Sequence, residues 1–412
     1  MKYYVESYGC TMNHGEGREL AETMSELGFE SATSAEEADV VVLNTCTVVE
    51  TTEKHMIARI SELRSQEKKV IVTGCMAKAQ PGRISIRLPD SPIISPENYS
   101  SFRDIVSERY GIQGCPTSVE FSSDAILPIA QGCLGNCSYC ITKLARGNLH
   151  SYDMGSLLNK FNTQVERGSK EILITAQDTA SYGRDIGTDL PALLRSMLET
   201  KGDYRLRIGM SDPESVKRVH EGIEEQMDDT RLYRFLHIPV QSGSNDILKA
   251  MRRKYSVEMF LELVDDIRAA VKDVSIATDI ICGFPGESEE DHEKTMQLIR
   301  TLKADTVNIT RFSPRPGTDA ARMTQIHGRI SSKRSSELTS LKNETELQNN
   351  EAMIGKRFES LATEKGKDAT IFRTGNYRPV IIKNDVKLGS FAEIEVTEAK
   401  PTYLIGRIIN MF

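Results

Sequence analysis

Three cysteines within eight positions, Cys133, Cys137 and Cys140, are the best-spaced reactive side chains of the chain. Their pattern is Cys-x3-Cys-x2-Cys. Thiolates this close suit an iron–sulfur cluster. Structural zinc normally takes four ligands, and no fourth is at hand, since His150 stands ten residues past Cys140. Three cysteines on a four-iron cube leave one iron without a protein ligand, and an open metal position is what a reactive site needs. Gly132 and Gly135 give the backbone room to wrap the cube.

Cys10, Cys46 and Cys75 are spread more widely, and only the elements around them make them a group. Residues 3–8, 40–43 and 69–73 read as strands, the second apolar throughout as a buried strand is. Between them, Leu20, Met24 and Leu27 have helical spacing, with Asn13 and Glu16 as a capping box and Gly28 as a stop. Ile57, Ile60 and Leu63 mark a second helix over 53–64. This βαβαβ order predicts an open parallel sheet. Each cysteine then stands just past the carboxyl end of a strand, the edge where sites assemble in such sheets. Burial statistics alone would make the three unrelated core residues. Their placement after three successive strands predicts instead that they converge. Cys115 and Cys282 fit neither trio.

From about residue 125 to 345, six apolar runs alternate with helices. The runs cover 126–129, 171–174, 206–209, 235–238, 277–281 and 306–309, and helices fit 191–198, 213–225 and 257–270. Repeated βα units predict a parallel sheet curled towards a partial barrel. Gln177, Asp178, Ser211, Gln241, Cys282 and Arg311 stand at strand exits as site candidates. Beyond residue 354, short runs at 357–363, 370–373, 378–382, 391–396 and 402–409 are punctuated by glycines, which predicts a small antiparallel barrel. The expected fold class is α/β with a C-terminal small β-barrel. The expected domains are 1–112, a linker over 113–124, 125–345 and 350–412.

A chain of 412 residues accommodates about three domains at ~150 residues each. With 39 % apolar and 27 % charged residues it is globular and not intrinsically disordered. No run reaches the ~18 apolar residues of a membrane helix. The first residues form no export signal, so a cytoplasmic location is expected and the cysteines read as metal-binding or catalytic, not as a disulfide framework. The net charge of −7 excludes a uniformly basic nucleic-acid binder. Residues 356–412 nevertheless hold ten Lys+Arg against seven Asp+Glu, a local +3, which leaves −10 on the rest. Such a barrel is compatible with RNA backbone contact and equally with a solvated cap.

Three N-terminal motifs surround the spread cysteines: Tyr8-Gly9-Cys10-Thr11-Met12-Asn13, Asn44-Thr45-Cys46-Thr47-Val48 and Thr73-Gly74-Cys75-Met76-Ala77. Ala145-Arg146-Gly147 follows the tight trio. Further on stand His237-Ile238-Pro239-Val240-Gln241-Ser242-Gly243-Ser244, Asp279-Ile280-Ile281-Cys282-Gly283-Phe284-Pro285-Gly286-Glu287 and Ser313-Pro314-Arg315-Pro316-Gly317-Thr318. With these motifs the chain resembles the radical S-adenosylmethionine (SAM) superfamily and, over nearly its whole length, the methylthiotransferases within it. The resemblance implies two [4Fe-4S] clusters, one on Cys133, Cys137 and Cys140 that chelates SAM and an auxiliary one on Cys10, Cys46 and Cys75. It implies that one SAM donates a methyl group and a second yields the radical that activates C2 of an adenine. Positioning both clusters at one carbon is what the cysteine placement would serve. It also implies that the last part is a TRAM barrel holding tRNA, and that an electron donor such as ferredoxin or flavodoxin takes part.

The family divides by substrate. The stretch from Gln131 to Gly147 looks most like the archaeal and eukaryotic branch acting on N6-threonylcarbamoyladenosine at position 37, in tRNAs that decode ANN codons. Methylthiolation of isopentenyladenosine, of a ribosomal protein, and a non-catalytic iron–sulfur RNA-binding protein are the alternatives. Tyr139 either packs in the core or stands near the adenine of SAM. Gln241 leaves a strand into Ser-Gly-Ser, a turn open to a ligand. Asp279, inside an apolar strand, needs a partner, either a structural hydrogen bond or, as favoured here, the cofactor SAM. Ser211 is a candidate SAM contact as well, whereas His237 reads as a satisfied core histidine. The Gly-Gly-Glu common in radical-SAM enzymes is replaced by Ala176-Gln177-Asp178, so Gln177 or Asp178 are the candidates for the amino group of SAM. Lys143 and Arg146 are candidates for phosphate or the threonylcarbamoyl carboxylate. Arg315, Lys356, Arg373, Arg378 and Lys383 are candidate tRNA contacts.

Overall fold

The run Val40-Val41-Val42-Leu43 becomes a strand, Val40–Thr45, with every residue buried. It lies between Lys2–Ser7 and Lys69–Gly74, all three parallel, with Tyr3 opposite Val40 and Val40 opposite Lys69. A two-residue strand, Glu30–Ser31, completes the order at the outer edge of Lys2–Ser7. The period of two along the strand explains its apolar continuity. Val41 and Leu43 pack with Met56, Ile60 and Leu63 of the helix Glu50–Ser65. Val40 and Val42 pack with Leu20 and Met24 of the helix Thr11–Glu26 on the other face.

The structure, a computed structural model, describes residues 1–48, 50–115 and 122–412. Residues 116–121 of the expected linker lie outside the described residues. The chain forms two compact units: Met1–Phe121 with Gln131–His150 and Ser313–Ala321, and Ser122–Ala130 with Ser151–Phe312 and Arg322–Phe412. All six cysteines of the two trios belong to the first unit.

In the second unit the six expected strands form two parallel three-stranded sheets. Glu171–Thr175 lies between Asp124–Pro128 and Arg205–Ile208, and Ser275–Cys282 between Phe235–His237 and Thr306–Arg311. A parallel bridge joins Leu206 to Leu232, three residues before Phe235–His237. Helices Leu190–Leu198, Pro213–Gln226 and Val257–Ala270 start on the caps Asp189, Asp212 and Ser256, each accepting a backbone N–H. The 24-residue helix Gly328–Glu351 was not legible as an amphipathic repeat. Its buried residues include Arg334, Thr345, Glu346 and Asn350, so polar pairing holds it where an apolar stripe would be expected.

Five strands after residue 356 close into a barrel around Phe372, Val380, Ile394 and Leu404. The all-antiparallel expectation is corrected at one seam: Pro379–Ile382 and Leu404–Met411 pair in parallel. A barrel of five strands has an odd count, so strict up-and-down alternation cannot close it.

Candidate metal centre

The three spread cysteines converge. Cys10 is the N-cap of Thr11–Glu26, Cys46 follows Val40–Thr45, and Cys75 opens the short helix Cys75–Ala79 after Lys69–Gly74. The sulfurs of Cys10 and Cys75 lie 3.9 and 3.8 Å from one atom, Asn13 Oδ1. Gly9, at φ +105, packs so closely on Cys46 that a Cβ there would stand 2.7 Å from its sulfur. At the third exit Gly74, at φ +84, leaves no room for a Cβ, which would meet Thr45 O at 2.3 Å. These glycines let three strand ends approach where side chains could not.

Asn13 ties the exits together. Its Nδ2 donates to Tyr8 O at 2.8 Å and Thr45 O at 2.9 Å, while its own carbonyl accepts from Asn44 Nδ2 at 2.6 Å. The expected capping box is therefore corrected. Asn13 and Glu16 are buried inside the helix, and their side chains serve the cysteine site instead of the helix end.

The tight trio forms a loop in the same unit. Gly135 N–H donates to Cys133 Sγ at 3.2 Å, and a Cβ on Gly135 would lie 3.3 Å from Cys133 Sγ and 3.7 Å from Cys137 Sγ. Cys140 N–H donates to Cys137 O. Ser138 O accepts from Ala320 N–H, which fastens the loop to the segment carrying Arg315. Among the described residues no three His, Cys, Asp or Glu close tightly enough to hold a single metal ion.

Arg146 connects the trios. It sits six residues past Cys140 on the helix Thr142–Arg146, which packs on Cys75–Ala79. Its Nε donates to Cys75 Sγ at 3.2 Å, its Nη2 to Asn13 Oδ1 at 2.6 Å and Glu16 Oε2 at 2.8 Å, and its Nη1 to Glu16 Oε1. Both side chains of the pair are nearly inaccessible, at 1 % and 2 %. Burial pushes the Cys75 thiol up to about 12, against the pull of Arg146. Burial alone would lower the Arg146 pKa, but Cys75, Glu16 and Tyr99 hold it well above the ordinary arginine value. Arg315 lies within electrostatic reach of Cys46. It is buried against Glu53, 3.4 Å from Thr47 Oγ1, with its Nε unpartnered. Glu53 also receives Thr47 at 2.8 Å, Gln80 at 3.0 Å and Arg83.

The expected SAM contacts distribute differently. Gln177, half-buried, and Ser211, buried, follow their strands in the second unit. Asp178 accepts from Asp212 N–H at 2.9 Å and Ser215 Oγ at 2.6 Å, so both carboxylate oxygens hold the start of Pro213–Gln226. Burial pushes its carboxyl up to about 6. Asp279 accepts from His237 Nε2 at 2.8 Å and Asn308 Nδ2 at 2.9 Å, which satisfies both the aspartate and the histidine. Gln241 stands at φ +71 with its Oε1 buried and unpartnered. Tyr139 is half-buried within the cysteine loop.

The candidate RNA contacts need correction at several positions. Arg146, Arg315 and Arg378 are buried, the last against Asn350 Oδ1 at 2.6 Å and Asp305. Lys143 donates to Cys133 O, and Arg373 binds Glu364 at 2.8 Å and covers the Tyr377 ring. Only Lys356 and Lys383 of that set are exposed. A basic residue looks the same in a sequence whether it faces solvent or a buried carboxylate. Asn13, Glu16, Thr47 and Glu53 were not named as site residues; all four sit within seven positions of a cluster cysteine, and Asn13 and Thr47 stand inside its motifs. Cys282 is buried, and its motif partner Glu287 accepts from Gly283 N–H at 2.8 Å and Arg334 Nη1 at 2.7 Å, a brace onto Gly328–Glu351.

The sulfur donors, two buried guanidiniums and an unpartnered amide fit iron–sulfur clusters and a polar cofactor. Residues 2–94 match an uncharacterized protein family, UPF0004, residues 127–299 the Radical SAM superfamily, and residues 350–409 the TRAM domain. Among solved structures, a radical S-adenosylmethionine methyltransferase, TsrM, from Kitasatospora setae is similar in fold, with TM-score 0.58 and 14 % identity over 77 % of this chain and 76 % of that one. A probable threonylcarbamoyladenosine tRNA methylthiotransferase of Archaeoglobus fulgidus is 38 % identical over 99 % of both chains. That of Pyrococcus horikoshii is 37 % identical over the full length of both. The threonylcarbamoyladenosine tRNA methylthiotransferase of Homo sapiens is 32 % identical over 99 % of this chain and 74 % of its own. The chain belongs to the threonylcarbamoyladenosine tRNA methylthiotransferase family.

Proposed function

We propose that the protein converts N6-threonylcarbamoyladenosine at position 37 of ANN-decoding tRNAs to its 2-methylthio derivative. The observation that carries this reading is the gathering of Cys10 and Cys75 on Asn13, with Cys46 packed on Gly9, beside an arginine that follows the second trio. Cys133, Cys137 and Cys140 would hold one [4Fe-4S] cluster and Cys10, Cys46 and Cys75 the other. When bound, the two clusters and SAM would supply the methyl group and the radical chemistry of methylthio insertion, which no side chain can supply.

The chain's own residues have other tasks. Asn13, Gly9 and Gly74 fix the positions of Cys10, Cys46 and Cys75, and Gly135 lies against Cys133 and Cys137. Gln241 offers an amide oxygen to a polar group of SAM, with Gln177 and Ser211 at neighbouring strand exits. Arg146 and Arg315 place positive charge beside buried thiols, where an uncompensated anion would be costly. Lys356 and Lys383 meet the tRNA backbone from the barrel. A small electron-transfer protein, a ferredoxin or flavodoxin, supplies the electrons, and the reaction takes place in the cytoplasm. No helix among the described residues is long and apolar enough to cross a membrane.

The test is anaerobic reconstitution followed by mass spectrometry of tRNA nucleosides. A methylthio gain on threonylcarbamoyladenosine with release of 5′-deoxyadenosine is expected. A gain confined to isopentenyladenosine or to a ribosomal protein would move the protein to another branch. Absence of any 5′-deoxyadenosine would leave a non-catalytic RNA binder.

A further inference from the structure

Arg146 stands in a motif that reads as an anion contact for substrate, yet its side chain never reaches the surface. A buried arginine–carboxylate pair is seldom a gain in stability over apolar packing, because both ions lose their hydration. Its retention asks for another reason, and the geometry supplies one. The guanidinium fork is divided: Nη1 and Nη2 close on Glu16 and Asn13, and Nε is left pointing at Cys75 Sγ, 3.2 Å away. Glu16 and Asn13 fix the plane of the fork, so the donor aimed at sulfur is held in place. Asn13 Oδ1 also accepts from the thiols of Cys10 and Cys75, two members of the trio.

We infer that Arg146 is a positioning residue that sets the reduction potential of the cluster held by Cys10, Cys46 and Cys75, with Glu16 as its counterweight. This rests on the cluster assignment made above. Hydrogen bonds to the cysteine sulfurs and the net charge nearby are among the determinants of such potentials. A cation and an N–H donor on Cys75 favour the more negative, reduced state. A carboxylate behind the cation offsets part of that effect. Lysine keeps the charge but cannot reproduce the divided planar fork.

The experiment uses the full chain with Cys133, Cys137 and Cys140 replaced by alanine, so that one trio remains. Iron per chain and the midpoint potential are read by metal analysis and EPR-monitored redox titration. Arg146→Gln shifts the potential down, Arg146→Lys shifts it down by less, and Glu16→Gln shifts it up. Opposite signs from the two partners of one ion pair are the signature, since a purely structural brace would move both variants alike. Where Arg146→Gln releases the iron, Arg146→Lys and Glu16→Gln decide by the same signs. Retained iron with unmoved potentials overturns the tuning role and leaves the cluster assignment standing. Loss of iron from all three variants in a loaded background makes the pair a brace and also overturns it. A background chain that binds no iron overturns the cluster assignment and the inference with it.

Discussion

Gln241 carries two costs at once. Its backbone is in the left-handed region at φ +71, locked there because its N–H donates to Asp279 O at 2.8 Å and its C=O accepts from Ile281 N–H at 2.9 Å. Its Oε1 is buried without a donor. Each feature costs about 1–3 kcal/mol in a folded chain. Such costs persist where something outside the chain repays them, and the exit of Phe235–His237 is where a cofactor of this fold would lie. Replacing Gln241 by glycine relieves the backbone and removes the orphan oxygen. The expected outcome is a gain of about 1 kcal/mol in urea unfolding together with a loss of SAM affinity of about tenfold or more by calorimetry. Unchanged SAM affinity would sink the ligand role. Asp178 makes the contrast, since its oxygens are already spent on Asp212 and Ser215 and brace the start of the helix that Asp212 caps.

The barrel is fastened to the amino-terminal ends of the strands of its own unit. Arg205 pairs with Glu359 and stacks on Phe391, Arg378 reaches Asp305, and Tyr377 stands between Arg207 and Arg373 and against Tyr233. Two of the barrel's four candidate RNA contacts are thereby spent inside the unit, Arg378 on Asp305 and Arg373 on Glu364 and the Tyr377 ring. Glu171 lies in the same cluster, receiving Tyr233 Oη at 3.0 Å. Burial pushes its carboxyl up from 4.5 to about 7; Asp124 adds to this, while Tyr233, Arg373 and Arg207 act against it. A raised acid is favoured folded in its protonated form. The stabilisation is complete below 4.5 and is lost as pH rises through about 7. Glu171→Gln should therefore flatten the fall in stability between these limits by about 2–3 kcal/mol relative to the parent chain. Asp178 titrates in the same window in both proteins and cancels in that comparison. Parallel curves for parent and variant in urea unfolding across pH would contradict the assignment.

At the scale of the whole chain, charge divides between a barrel of +3 and a remainder of −10. Binding of tRNA then depends on few cations, which must be exposed ones. Lys383→Ala, and likewise Lys356→Ala, should weaken tRNA binding and lower the slope of log affinity against log salt by about 0.7–0.9 each. Arg378→Ala should leave that slope unchanged and instead lower stability, because it removes the buried guanidinium that pairs with half-buried Asp305 and holds Asn350. Filter binding over a salt series separates the two outcomes. A slope unaffected by either lysine would place the RNA contact elsewhere.

Periodicity and punctuation belong to the sequence. The apolar run at Val40, the six strand-like runs of the βα repeats and the glycine-spaced runs after residue 356 each report a local hydrogen-bonding pattern, and each formed a strand, while the parallel seam of the barrel and the division into two three-stranded sheets were left to the tertiary structure. The placement of Cys10, Cys46 and Cys75 after strand ends was legible for the same reason, since a parallel sheet brings its carboxyl edges together whatever the loops contain. The tertiary structure alone decided the fate of the charges. Arg146 meets Glu16 across 130 positions and Arg315 meets Glu53 across 262. Neither pairing leaves a local trace, because an ion pair is fixed by distance in space and burial, and a basic side chain in the sequence carries no mark of which side of the surface it will occupy.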